Sequence, residues 1–135
     1  MTTDPAMTID LTGTWLGTYW QAHSDPTRFE ASLVQGLNTL SGSVLDDGWL
    51  GEALVTGERS GMGLQFTKRY LSGNHDVVIY SGTIGDDGDT MQGSWRIGQG
   101  DRFVGTWEAH RHQPDGLMAE LTRQIRNQNL VGAGR

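Results

Sequence analysis

Short alternating segments separated by evenly spaced turn signals run through most of the chain. The turns are Ser24-Asp25-Pro26, Gly36-Leu37-Asn38, Asp46-Asp47-Gly48, Arg59-Ser60-Gly61, Ser72-Gly73-Asn74, Asp86-Asp87-Gly88 and Gly98-Gln99-Gly100. Gly, Asn and Asp accept the backbone conformations that tight hairpins demand. Eight segments remain between and around them, at 11–23, 27–35, 40–46, 49–58, 62–72, 75–85, 89–97 and 101–112. Phe29, Ala31 and Leu33 alternate with Arg28, Glu30 and Ser32. Met91, Gly93, Trp95 and Ile97 alternate with Thr90, Gln92, Ser94 and Arg96, and Phe103, Gly105, Trp107 and Ala109 with polar neighbours. Period-two patterns of this kind mark half-buried strands. No connection is long enough for a crossover helix, so each strand is expected to pair antiparallel with the next. Eight hairpin-linked strands that close on themselves give an all-β, eight-stranded, antiparallel up-and-down barrel, which also removes exposed sheet edges.

Two strands, around Ala53-Leu54-Val55 and Val77-Val78-Ile79-Tyr80, are apolar on both faces. Their outer faces are expected to be covered by the C-terminal segment or by a second subunit. Residues 115–130 read as one α-helix packed outside the barrel, with Leu117, Leu121 and Ile125 at i, i+4 and i+8. Asp115 after Pro114 suits its cap and Gly132 its end. The expected organisation is a flexible N-terminus over 1–10, the barrel over 11–112, the helix, and a tail over 131–135.

Composition narrows the function more than it names it. The 135 residues carry a formal net charge of −6, which argues against non-specific nucleic-acid binding. Zero Cys excludes disulfides, thiolate catalysis and Cys-ligated zinc. The first ten residues have no basic residue and no apolar run, the wrong composition for a secretory signal, so a cytoplasmic location is expected. No membrane partner is expected either, because no apolar run approaches the length of a membrane helix. The four His show no metal-ligand spacing, and neither a metal nor a cofactor is expected.

At Leu11-Thr12-Gly13-Thr14-Trp15 the chain resembles the calycins, the lipocalins, fatty-acid-binding proteins and avidins. A Gly-x-Trp opens the first strand of those barrels, and a basic residue near the end of the last strand packs across the Trp and closes the floor. Arg111 falls where that residue would be, so the resemblance implies a structural floor of Trp15 and Arg111. Thr12-Gly13-Thr14-Trp15 is also similar to the start of an avidin, but Leu16-Gly17-Thr18 replaces the polar residues that follow there. Biotin binding is not implied.

With the floor at that end, the opposite rim carries His23, Asp25, Asp46, Asp47, Asn74, His75, Asp76 and Asp101. A negative mouth disfavours anionic ligands. Period two turns Tyr19, Phe29, Phe66, Tyr70, Trp95, Phe103 and Trp107 inward, while inward Gly17, Gly42, Gly93 and Gly105 leave room for a ligand. Lys68 also points inward, in the row Met62-Leu64-Phe66-Lys68-Tyr70. An unpaired buried ammonium is costly, so a partner is required. If residue 58 opposes 62 across the hairpin, Glu52 lies directly across from Lys68. The pair then serves as a structural ion pair, a ligand counter-ion or a general acid.

Three functions fit these residues. The first is a binding module for a hydrophobic, neutral or weakly polar small molecule, with Tyr19, Glu52, Lys68 and Tyr70 as polar contacts among aromatic walls. The second is a cofactor-free cyclase or isomerase with Lys68 or Tyr70 as catalytic donor. Small bacterial barrels resembling lipocalins include such natural-product cyclases, spirotetronate Diels–Alderases among them. The third is a filled barrel acting as a homodimeric structural or interaction protein.

Overall fold

The structure is a computed structural model that describes residues 8–47, 51–72, 77–98, 103–112 and 125. Its strands are β1 (Gly13–Gln21), β2 (Thr27–Gly36), β3 (Thr39–Asp46), β4 (Glu52–Ser60), β5 (Gly63–Tyr70), β6 (Val78–Ile84), β7 (Thr90–Ile97) and β8 (Val104–Arg111). Each pairs antiparallel with its chain neighbour, and β1 pairs with β8 to close the barrel. The expected all-β up-and-down barrel is therefore the observed one. The expected helix over 115–130 lies, Ile125 apart, outside the described residues.

Apolar side chains fill the interior, and along most strands polar side chains alternate with them on the outside. On β2, Phe29, Ala31 and Leu33 are buried while Arg28, Glu30 and Ser32 are exposed. Among the described residues, no helix is long and apolar enough to cross a membrane. On the outer surface of β2 to β4, Val34, Leu45 and Leu54 stand 57%, 57% and 50% exposed, uncovered by any described residue.

The closed end is a polar clamp around one indole. Trp15 is fully buried, its Nε1–H donates to the Leu11 carbonyl at 2.9 Å, and the Arg111 guanidinium stands 4.6 Å from its ring centre. Arg111 also donates to the carbonyls of Asp10, Thr12 and Gly88 and to the Asp89 carboxylate, at 2.8–3.0 Å. Opposite it, buried Arg59 donates to the Ile9 carbonyl and to Gln35 Oε1. Ile9 and Asp10, expected in a flexible terminus, are thereby built into the floor.

The inward glycines do not hollow the barrel. A Cβ at Gly17 would meet the Phe29 ring at 2.2 Å, and one at Gly105 would meet the Trp95 indole at 2.5 Å. One at Gly93 would strike the Ser81 carbonyl at 1.8 Å. Large rings and neighbouring backbone have taken the space that absent side chains leave, as close packing demands.

Candidate functional site

Halfway up the barrel the apolar interior gives way to a cluster of polar groups. Lys68 is 1% exposed, as its place in the inward row of β5 requires. Its partner is Asp46 and not Glu52. Ser60 opposes Gly63, so the hairpin loop is Gly61-Met62 and Lys68 stands across from Val55. Glu52 projects outward, is exposed, and opposes Leu45. Asp46, expected on the rim, is instead 4% exposed because it completes the inward alternation Leu40, Gly42, Val44, Asp46 on β3.

Lys68 Nζ donates to Asp46 Oδ1 at 3.0 Å and Oδ2 at 2.9 Å, and to Tyr80 Oη at 3.3 Å. These contacts use every N–H an ammonium has. The Tyr19 hydroxyl donates to Asp46 Oδ2 at 3.2 Å, and the Tyr70 hydroxyl donates to the same oxygen. The ammonium also lies 4.9, 4.8 and 5.5 Å from the ring centres of Tyr19, Tyr70 and Tyr80, within cation–π range. No buried side-chain polar atom among the described residues lacks a partner. The chain's three tyrosines all surround this one ion pair.

Burial pulls the Lys68 ammonium below its ordinary pKa, with the Asp46 charge pulling it back. Burial and then the Asp46 charge push Tyr19 and Tyr80 upward. Tyr70 is likewise raised above the ordinary phenol range, by burial and by its hydrogen bond to Asp46. All three phenols are held protonated and act as donors or acceptors, not as anions.

Below the cluster, Phe66 stacks on Tyr80 at 4.8 Å between ring centres, and Trp107 meets both rings edge-on at 5.6 and 5.7 Å. The space left among Trp15, Phe29, Phe66, Met91 and Trp107 is about 10 Å³, about one water's worth. Above it, Tyr19 stacks on Phe29 at 6.3 Å and meets Trp95 edge-on at 6.1 Å. Tyr19, Tyr70 and Ile97, at the end opposite the Trp15 floor, are half-buried among the described residues.

The barrel thus brings together Tyr19, Phe29, Phe66, Lys68, Tyr70, Trp95 and Trp107. Phe103 is not among them, because it precedes β8 and is 44% exposed. His23 is exposed in the turn after β1, whereas His75 lies outside the described residues. His110 faces outward on β8, and no three metal-ligating side chains gather among the described residues. Asp46 and Tyr80 are the site residues that turn signals and an apolar run concealed. Neither protein-family models nor curated proteins yield a match to this chain.

Proposed function

We propose that this barrel binds a hydrophobic, neutral or weakly polar small molecule at its open end, above the Lys68–Asp46 pair. The observation that carries the reading is the pair of half-buried phenols, Tyr19 and Tyr70, turned onto one buried carboxylate beside apolar Phe29, Trp95 and Ile97. The ion pair cancels its own charge, so a ligand on this platform meets aromatic faces and phenol oxygens but no net charge. Packing beneath the cluster confines the ligand to the upper half of the barrel.

A cyclase would need a donor open to an apolar chamber. Lys68 directs its N–H groups to Asp46 and Tyr80, and Tyr70 donates to Asp46, so this geometry lends catalysis no support. The interior space of about 10 Å³ favours a second reading, a filled barrel that acts through its outer surface. Exposed Val34, Leu45 and Leu54 would then meet a second copy.

Native mass spectrometry of protein from its own host, before and after denaturation, separates the two readings. A bound mass of a few hundred daltons that denaturation releases is the expected result. Saturable fluorescence of the neutral probe N-phenyl-1-naphthylamine, lost in Ile97→Arg, would place that ligand at the open end. A ligand-free dimer that ignores the probe overturns the binding reading in favour of the filled barrel.

A further inference from the structure

The outer surface of β6 to β8 and β1 carries a polar concavity. The register sets Ser81, Ser94, Thr106 and Trp20 side by side across four strands. A second row, Thr83, Gln92, Glu108 and Thr18, runs beside it. Short side chains over Gly82 and Gly93 leave a groove of about 540 Å³ with Trp20, 36% exposed, at its edge. The indole of Trp107 lies beneath Gly82 and donates to the carbonyls of Ser81 and Ser94, which ties β6 and β7 together under the groove. Thr83, Gln92 and Glu108 also line a second space of about 390 Å³ that continues toward Thr90 and His110. From Thr106 to His110 the concavity runs about 13 Å along β8, by strand rise alone.

We infer that this groove is a second binding site, specific for a short neutral oligosaccharide. Its chemistry combines an exposed aromatic plate with a row of hydroxyls, one amide and one carboxylate. An indole face accepts the apolar C–H face of a sugar ring. Gln92 and Glu108 lie side by side and offer the paired planar acceptors and donors that adjacent sugar hydroxyls require. Among the described residues, the side chains of Gln92, Ser94, Thr106 and Glu108 have no hydrogen-bond partner, which leaves their polar atoms to a ligand there. Neither Lys nor Arg lines either space among the described residues, and Glu108 repels anions; this selects against nucleic acid and sulfated or acidic glycans. Because the barrel is closed, the groove offers no sheet edge for a peptide strand to extend.

The test is ¹H–¹⁵N correlation NMR of the full chain, titrated separately with cellohexaose, chitotetraose, maltohexaose and xylohexaose. At least one sugar should shift the amides of Ser94, Thr106 and Glu108 and the Trp20 indole N–H saturably. Affinity should fall at least tenfold in Trp20→Ala and in Gln92→Arg. It should stay unchanged in Tyr70→Phe, which touches the open-end site instead. Amide dispersion like that of the parent confirms that each variant is folded, and Gln92→Arg, on the outer surface, serves if Trp20→Ala does not fold. No saturable shift with any of the four sugars overturns the inference. Shifts that survive Gln92→Arg, or that map to the open end, overturn it as well.

Discussion

Lys68 Nζ lies 2.9 and 3.0 Å from the two carboxylate oxygens of Asp46, a residue two strands away around the barrel. Both side chains are buried, at 2% and 0% exposure. Removing one member of such a pair strands the other charge and costs about 3–5 kcal/mol, whereas removing both can be nearly neutral. Lys68→Met and Asp46→Leu are each expected to destabilise within that range, and the double variant by clearly less than their sum. Urea unfolding of the four proteins yields the coupling directly. Additivity within about 0.5 kcal/mol would mean that the two charges are independently solvated in the folded state.

The same cluster sets the alkaline limit of the fold. Tyr19, Tyr70 and Tyr80 are the chain's only tyrosines, and burial beside Asp46 raises all three above 10.0. A group whose folded pKa is raised contributes stability that is full below its unfolded pKa and is lost as pH rises through the folded one. Lys68 works the other way: its folded pKa lies below 10.5, so its share of stability rises with pH up to 10.5 and then levels off. Above that point the tyrosines alone decide, and stability should fall. Phenolate absorbance at 295 nm should therefore stay flat through pH 10–11 in folded protein and rise together with the loss of far-ultraviolet dichroism. A phenolate step completed before unfolding would contradict the hydrogen-bonding seen around Asp46.

Alternation carried most of the fold. The inward rows of β2, β5 and β7 and the Trp15–Arg111 stack were all readable as period two plus one motif. Hairpin register was less so: Arg59-Ser60-Gly61-Met62-Gly63 offers glycine at two places, and the loop formed is Gly61-Met62, with φ +58° at Gly61. Placing residue 58 opposite 62 instead moves the residue across from Lys68 by three, from Val55 to Glu52. Asp46 was hidden for a different reason. Asp46-Asp47-Gly48 has turn composition, yet Leu40, Val44 and Asp46 keep the inward parity of β3, and a buried ammonium needs a carboxylate at its own height. Parity was the better guide there than composition. Filled glycines could not be anticipated, since which ring occupies a gap depends on packing across strands far apart in sequence.

The β2–β3 hairpin holds a residue in a conformation it resists. Leu37 has φ +56° and is 91% exposed, so it bears left-handed strain without packing to offset it. That strain costs about 1–2 kcal/mol, and glycine returns part of the gain through its freer unfolded chain. Leu37→Gly should raise stability by about 0.5–1 kcal/mol, while Leu37→Ala, which keeps Cβ, should change little. Thermal unfolding of the three proteins checks this. Equal midpoints for the glycine and alanine variants would show that backbone strain at Leu37 is negligible.

Arg111 closes the floor through shape as much as charge. Its planar fork lies on Trp15 while donating to the Asp10, Thr12 and Gly88 carbonyls and to Asp89, thus tying the N-terminal segment, the β6–β7 turn and β8 together. Lysine keeps the charge but is a point donor that cannot stack and bridge at once. Arg111→Lys should therefore cost about 1–2 kcal/mol, most of the loss expected in Arg111→Ala, because it leaves the part-buried Gly88 carbonyl without its donor and uncovers Trp15. Urea unfolding, with near-ultraviolet dichroism to report the Trp15 environment, measures both. Should Arg111→Lys keep the parent's midpoint and indole signal, a positive charge alone would suffice at the floor, and the fork's geometry would have no part in holding it shut.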